Sequence, residues 1–147
     1  MQTLKVNNNL SSFVVDTWAI ILNDNEKYKA DESPMRLFCT IGCVHPTLDN
    51  VKSIIVTYPP FAENMDEMLT RINRTKLENI DMSFPQLFHI NEHFYLICYN
   101  LKNPTYEIID NIAREDDPKI CYGQKPRILH SHFVKYLKAK GYLCFGE

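Results

Sequence analysis

The pattern of apolar and polar positions is most regular between Phe88 and Asp110. Two runs rich in aromatic and β-branched residues lie there, Phe88 to Asn100 and Thr105 to Asp110. This composition is typical of strands. The residues between the runs, Leu-Lys-Asn-Pro, carry the turn-forming types that a chain reversal needs. The pattern therefore predicts a β-hairpin.

The turn fixes which residues of the hairpin face each other. If Asn100 pairs with Thr105, the ladder sets Tyr95 opposite Asp110, and His93 lies two residues from Tyr95 on the same face. His93 and Asp110 are then diagonal neighbours, about 7–8 Å apart at the backbone. A carboxylate there can orient an imidazole, as in a nucleophile–His–Asp system. Geometry alone also fits a surface histidine beside a strand-end aspartate.

Upstream of the hairpin the pattern predicts helices and short strands. A helix begins at Ser11 or Ser12 and runs to about Asn23, with a wide apolar face that implies burial. Trp18 lies on that face and is expected in the core. The remaining predicted elements are a strand over 35–41, a short strand over 53–58 stopped by two prolines, a helix over 63–79 and a strand over 86–90. The last strand would make the hairpin part of a three-stranded antiparallel meander.

Downstream of the hairpin one further helix is predicted. Residues 114–119 read as a charged loop. A helix begins at Lys125, with Pro126 in its first turn, and ends at Gly141. Its histidines, His130 and His132, are expected to be solvated or partly packed. Together these elements predict an α+β fold, with an antiparallel or mixed sheet and flanking helices.

Length and charge bound the class of protein. The chain has 147 residues, of which 45% are hydrophobic, and this predicts one domain over 10–147 behind a polar tail over 1–9. The net charge of −2 gives no basic field for nucleic acid. No apolar run is long enough for a signal peptide or a membrane span, so we expect an intracellular protein without membrane attachment. We also expect a monomer.

The five cysteines are scattered, which favours reduced thiols. Cys39, Cys43 and His45 form the nearest approach to a metal-ligand cluster. Their spacing lacks a Cys-x2-Cys pair and a fourth ligand, so buried thiols and a loop histidine are the preferred interpretation. No metal and no cofactor is expected.

Several stretches resemble the Ulp-type cysteine proteases, which act on ubiquitin-like proteins such as SUMO, in the divergent form found in plant genomes. The segment Asn91 to Ile97 and the strand ending at Asp110 are similar to the His–Asp hairpin of that family. Phe94 stands where the family most often has Trp. The stretches 14–23 and 33–38 resemble the family's opening helix and the segment that follows it.

The resemblance implies a papain-like cysteine protease fold and assigns roles to residues. His93 would be the general base and Asp110 its orienting acid; His89, before the predicted turn, is the rival histidine. Trp18 and Phe94 would lie near the groove that receives the substrate tail. The partner would be a ubiquitin-like modifier of the SUMO type or its conjugates, and the reaction would be thiol-dependent proteolysis in SUMO deconjugation or processing. The resemblance also implies residence in the nucleus or cytoplasm.

The family's nucleophile has no counterpart after Asp110. In the family it is the Cys of an Asp-Cys-Gly motif, which follows a Gln and a short spacer. Gln124 has no Asp-Cys behind it, Cys121 has Ile120 rather than an Asp before it, and Cys144 is followed by only three residues. Neither cysteine has an evident helix to lower its thiol pKa. We therefore expect a catalytic domain incomplete at its C-terminus and inactive as this chain; the alternatives are a module that binds the modifier without cutting it, or a relic.

Overall fold

The computed structural model describes residues 11–43, 54–74, 80–88, 94–103, 105–110, 112–113 and 115–142. These residues form helices and strands that alternate along the chain in an α+β arrangement. The elements are α1 (Ser12–Asn25), β1 (Arg36–Phe38), α2 (Ile54–Arg71), β2 (Met82–Phe84), β3 (Gln86–Phe88), β4 (Phe94–Asn100), β5 (Thr105–Ile109), α3 (Pro118–Tyr122) and α4 (Lys125–Ala139). Two short 3₁₀ turns, Glu26–Tyr28 and Ile41–Cys43, complete the described set.

The strands form one mixed sheet in the order β1, β2, β4, with β3 and β5 also paired to β4. β1 is parallel to β2, whereas β2, β3 and β5 are antiparallel to β4. β2 and β3 lie along the same side of β4 in one register, with Ser83 opposite Tyr99 and Gln86 opposite Leu96. They are two halves of one strand position separated by Pro85, so the sheet has four positions. The predicted α+β class with a mixed sheet and flanking helices is confirmed.

The predicted hairpin register is also confirmed. Asn100 pairs with Thr105, and the ladder continues to Leu96 opposite Ile109. β3, β4 and β5 form the expected antiparallel meander. The predicted turn at 91–92 and the residues His89 and His93 lie outside the described residues.

Side chains along β4 alternate between the core and the opposite face. Tyr95, Ile97 and Tyr99 are buried, and Cys98 lies on the other face and is half-buried, as its parity predicts. α2 and α4 pack against each other beside the buried face. The main core is built from β1, α2, β4 and α4, with residues including Leu37, Phe61, Met65, Ile97, Tyr99, Leu129, Phe133 and Leu137.

The sheet's β1 edge is closed by polar side chains from α1 and from the 3₁₀ turn that follows it. The amide of buried Asn23 pairs with the backbone of Phe38: Nδ2 donates to the carbonyl at 2.6 Å, and Oδ1 accepts from the N–H at 3.1 Å. Glu26, also buried, accepts the Arg36 N–H at 3.1 Å and binds its guanidinium. The backbone groups of Arg36 and Phe38 point away from β2. Successive residues of a strand bond to opposite sides, and the N–H of Cys39 donates to the carbonyl of Phe84 in β2. Side chains thus replace a neighbouring strand.

Asn23 and Glu26 form a polar clamp on β1, and further contacts extend it. Asp16 accepts the N–H of Ile41 at 2.7 Å. Arg74, beyond α2, donates to the Arg36 carbonyl at 2.6 Å and to Asn23 Oδ1 at 3.3 Å. The clamp therefore joins α1, β1 and the end of α2 through hydrogen bonds rather than apolar packing.

The predicted strand over 53–58 is wrong, because Ile54–Arg71 is one helix with Pro59 and Pro60 inside it. Each proline removes one helical N–H donor, which ordinarily breaks a helix. Packing outweighs that cost here. Buried side chains recur at helical spacing on both sides of the prolines and face the core: Thr57, Phe61, Met65, Met68 and Leu69.

α1 is confirmed, with Ser11 as its N-cap residue, but the expected burial of Trp18 is wrong. The helix buries only the narrow stripe Val15, Ala19 and Asn23. Trp18 is 57% exposed, and Phe13, Ile21 and Leu22 are exposed as well. The buried stripe leads to the polar clamp, so α1 contacts the sheet at its β1 edge and does not lie across a face of it. Its widest apolar face is therefore exposed.

At the C-terminal side α4 is confirmed, while two expectations fail. Residues 114–119 are not wholly a loop, since α3 begins at Pro118 and contains Cys121. His132 is fully buried rather than solvated, because it lies on the face of α4 that meets α2. His130 is half-buried, within the expected range.

Replacing Asn23 with alanine should destabilise the fold. Asn23→Ala leaves the N–H and carbonyl of Phe38 without their partner in a buried setting, and should lower the free energy of unfolding by about 2–3 kcal/mol. Urea denaturation followed by circular dichroism measures it. Asn25→Ala, an exposed position on the same helix, is the control and should change stability by less than about 0.5 kcal/mol. Equal losses in the two variants would contradict the clamp.

Candidate functional site

Asp110 follows the last residue of β5 and is held by two hydrogen bonds. Its Oδ2 accepts from the Tyr122 hydroxyl at 2.6 Å, and its Oδ1 accepts from the N–H of Ile112 at 2.9 Å. The second contact is a local turn of the type that aspartate favours. A carboxylate oxygen can accept more than one hydrogen bond, so these two contacts do not exclude a further donor.

Tyr122 reaches Asp110 because α3 is short and sharply bounded. The Asp117 side chain caps its start by accepting the Lys119 N–H at 2.7 Å, and Pro118 fills the first turn. Gly123 ends it with φ +60°, a conformation that favours glycine. The Tyr122 ring packs on Tyr95 of β4, with centroids 4.8 Å apart.

Tyr95, whose ring packs on Tyr122, keeps its phenolic proton at neutral pH. Burial raises the pKa of Tyr95 well above its ordinary value, and the nearby Tyr122 and Asp110 raise it further.

An open cavity of about 370 Å³ adjoins the Asp110 carboxylate and is lined by Tyr106, Ile108, Asp110, Ile112, Asp116, Pro118 and Tyr122. The Asp110 carboxylate is therefore a fixed hydrogen-bond acceptor at the rim of a cavity that is partly lined by aromatic side chains.

Of the predicted catalytic pair His93 and Asp110, only Asp110 lies among the described residues. Asp110 lies at the end of β5 on the face of the sheet shared with Tyr95, as the register predicted. His93 lies outside the described residues, as does the rival His89. The pairing of imidazole and carboxylate stays a prediction.

The two residues predicted to bind substrate lie on different elements. Trp18 is exposed on α1, which packs at the β1 edge. Phe94 is half-buried at the start of β4 and pairs with Phe88 in the neighbouring strand. Their predicted role is not tested by these positions.

Burial and neighbouring groups disfavour the thiolate form of two of the described cysteines, Cys43 and Cys98. Cys39 and Cys43 are both fully buried, and the pKa of Cys43 is raised by its hydrogen bond with Cys39 and by burial. Burial and the nearby Glu107 raise the pKa of Cys98. Cys121 Sγ lies 3.7 Å from the carbonyl of Asp116, its hydrogen-bond acceptor. Cys144 lies outside the described residues.

Within the described part of the chain, no group of three or more His, Cys, Asp or Glu side chains is arranged to hold a metal ion. His45, the third member of the cluster considered above, is not among the described residues. Cys39 and Cys43 are instead core residues.

A buried polar pair between α2 and α4 was not predicted from the sequence. Thr57 Oγ1 lies 2.8 Å from Nε2 of buried His132, beside the rings of Tyr58 and Phe61. His132 Nδ1 has no hydrogen-bond partner among the described residues. Burial, and then the charge of Lys135, lower the pKa of His132. The pair anchors α4 on the proline-containing turn of α2.

Tyr122, which orients Asp110, was also missed. Its only sequence signal was Asp117-Pro118, an N-cap residue followed by proline, which marks a helix start. Nothing in the linear spacing indicates that this helix meets the end of β5.

Acid should destabilise the chain partly through His132. Because its pKa is lowered in the folded state, the unfolded chain takes up a proton first as the pH falls through about 6.5, and stability is lost on acidification. His132→Gln keeps a partner for Thr57 and cannot take up that proton. Urea titrations at several pH values between about 7 and 5 should give a shallower fall for this variant. Parallel curves for the variant and the wild type would show that His132 is not a source of the acid sensitivity.

No family model, curated protein or solved structure matches this chain. Among the described helices, none combines the length and apolar character needed to cross a bilayer.

Proposed function

We propose that the chain carries the His–Asp half of a Ulp-type cysteine peptidase site, with a papain-like fold, directed at ubiquitin-like modifiers. The observation that carries this proposal is the β4–β5 register, which puts Asp110 immediately beyond the pair formed by Leu96 and Ile109. The diagonal placement of Asp110 and His93 that the sequence predicts rests on this register. The resemblance to the family, given above, supplies the reaction class.

The orientation of Asp110 also supports the proposal. A carboxylate that orients a catalytic imidazole must itself be fixed, because a rotating acceptor cannot select one ring tautomer. Two donors, the Tyr122 hydroxyl and the Ile112 N–H, fix Asp110. The Ile112 bond is a common local turn, whereas the Tyr122 bond comes from a separate helix and is the contact that favours a positioned carboxylate.

In the proposed mechanism a thiolate attacks the carbonyl carbon of the last glycine in the modifier's diglycine tail. The bond from that carbon to the leaving nitrogen breaks, and water then hydrolyses the thioester that has formed. His93 takes the thiol proton and later delivers it to the leaving amine, and Asp110 stabilises the imidazolium that forms between these steps. The chain holds no cysteine in the family's nucleophile motif. We therefore expect this chain to provide the base and acid without appreciable turnover of its own.

A second candidate function is binding of the modifier without cleavage. The observation in its favour is the exposed apolar face of α1, where Trp18 is 57% exposed and flanked by Ile21 and Leu22. Large exposed apolar side chains grouped on one helix face are typical of protein-binding surfaces. The two candidates share a partner and differ in whether His93 and Asp110 act together.

The His–Asp pair can be tested by the tautomer of His93. Nitrogen-15 NMR of the imidazole should report one dominant tautomer in the wild type, since a carboxylate accepts from one ring N–H. Asp110→Asn keeps the shape of the side chain and should change that population, because an amide can also donate to the ring. Asp116→Asn, which alters a carboxylate on the same cavity, is the matched control and should leave the tautomer unchanged. An unchanged spectrum in Asp110→Asn would remove the proposed pair.

Association with the modifier is a separate measurement. Isothermal titration with a SUMO-type protein should show binding, and Trp18→Ala should weaken it by about tenfold, as expected for loss of an aromatic anchor. Phe13→Ala, also exposed on α1 but on the opposite side of its apolar face, is the control. A fluorogenic SUMO-tail substrate should show no turnover in the same samples. Absence of any binding heat would remove the binding function, and turnover that His93→Ala abolishes would show a complete peptidase.

A further inference from the structure

The outer edge of β5 carries backbone groups that the sheet does not use. In β4, the odd-numbered residues direct their backbone N–H and carbonyl groups toward β2 and β3. The N–H of Ile97 donates to the Pro85 carbonyl, and the N–H of Leu101, just beyond the strand, donates to the Asp81 carbonyl. Its even-numbered residues therefore face β5, and Leu96, Cys98 and Asn100 form the hydrogen-bonded pairs there. It follows that Tyr106 and Ile108, opposite Tyr99 and Ile97, direct their N–H and carbonyl groups away from the sheet.

No described residue forms a hydrogen bond with the outward N–H and carbonyl groups of Tyr106 and Ile108. Within the described residues, no backbone hydrogen bond beyond the β4 ladder involves Tyr106 or Ile108. The contrast with the opposite edge is informative, because there Asn23 and Glu26 occupy the same kind of groups on β1. One edge of the sheet is closed by side chains and the other is open to another strand.

The cavity described above lies beside this edge and on one face of it. Tyr106, Ile108 and Asp110 are on the same face of β5, and their side chains line the cavity with Ile112 and Tyr122. The floor is aromatic and aliphatic, whereas Asp110 and Asp116 bring carboxylates and no described lining residue is basic. A long side chain with a cationic end matches both features, since its stem can pack on the floor while its charge meets the carboxylates.

A second copy of this chain is a poor occupant of the edge. Antiparallel pairing of two β5 strands that uses both outward residues would put Tyr106 opposite Ile108 and Glu107 opposite its own copy. Like charges directly opposite in a sheet are destabilising. Each copy would also bring its own Asp110 and Asp116 toward the other's edge. The charges around β5 thus favour a basic strand over β5 itself.

We propose that β5 binds an extended, basic peptide segment of another protein as an added antiparallel strand, through the backbone of Tyr106 and Ile108 and the cavity beside them. Peptide residues opposite these two would share their face, and their basic side chains would enter the cavity near Asp116. The intervening peptide residue lies opposite Glu107 on the other face. This inference does not depend on the proposed peptidase function.

The test uses a short labelled peptide in which arginine and valine alternate, followed by fluorescence anisotropy. Binding should weaken at high salt, because the attraction to Asp116 and its neighbours is screened. Methylating the arginine amides should weaken binding by about tenfold or more, since these N–H groups point at β5. Methylating the valine amides is the matched control and should have little effect, because they point to solvent.

Two protein variants give an independent readout. Ile108→Pro removes an outward N–H without removing a β4 ladder bond, and should weaken binding, whereas Ile108→Val keeps the N–H and should not. Asp116→Asn should weaken binding severalfold at low salt and less at high salt.

Equal affinity for the two methylated peptides, or binding unaffected by salt, would overturn the proposal. A reversed methylation pattern would contradict antiparallel pairing. A dimer of the free chain in sedimentation that Ile108→Pro dissociates would show that the edge serves self-association instead. If Ile108→Pro fails to fold by circular dichroism, the methylated peptides decide the question alone.

Discussion

The register of β4 is the constraint on which the rest of the structure depends. This strand is paired on both sides, and its odd-numbered side chains are buried while its even-numbered ones are not. A slip by one residue against either neighbour would exchange the buried set, Tyr95, Ile97 and Tyr99, for Leu96 and Cys98. The same alternation decides which backbone groups of β4 face β5. Core packing, the position of Asp110 and the open edge of β5 are therefore consequences of one register.

The two edges of the sheet are treated differently, and the difference has a physical cause. At β1 the amide of Asn23 imitates the hydrogen bonding of a peptide group, and Glu26 takes the remaining N–H. That closure depends on polar side chains at the end of α1, which is why α1 approaches the sheet edge-on. Its apolar face, including Trp18, remains exposed as a result. β5 has no such clamp within the described residues, and only its acidic side chains discourage pairing with itself.

The neighbourhood of Asp110 combines two possible uses of one feature. The carboxylate is fixed by Tyr122 from α3 and by the turn to Ile112, and it also lies at the rim of the cavity along β5. As an orienting acid it would act toward the start of β4; as part of the cavity it would act toward an added strand. The strand addition uses the backbone of Tyr106 and Ile108 and the Asp116 side of the cavity, and it requires no change at the bonds that hold Asp110. The proposed catalytic role and the proposed strand addition are therefore compatible.

The sequence by itself determined the elements whose pattern is local. Turn residues between Asn100 and Thr105 fixed the hairpin register, and the cap and proline signals marked α1 and α4, because such signals act between residues close in the chain. The class of fold followed from these. The same reasoning reached Asp110 through the register alone, without any knowledge of the helices.

Tertiary structure decided everything that depends on which surfaces meet. Residues 54–58 have the composition of a strand, yet the burial of Thr57 and Phe61 against α4 makes them helical despite Pro59 and Pro60. His132 and Tyr122 acquire their roles from partners far away in the chain, while Trp18 loses its expected burial to a polar clamp. A single sequence records which residues are apolar but not which apolar face will find a partner, because burial is a property of pairs of elements.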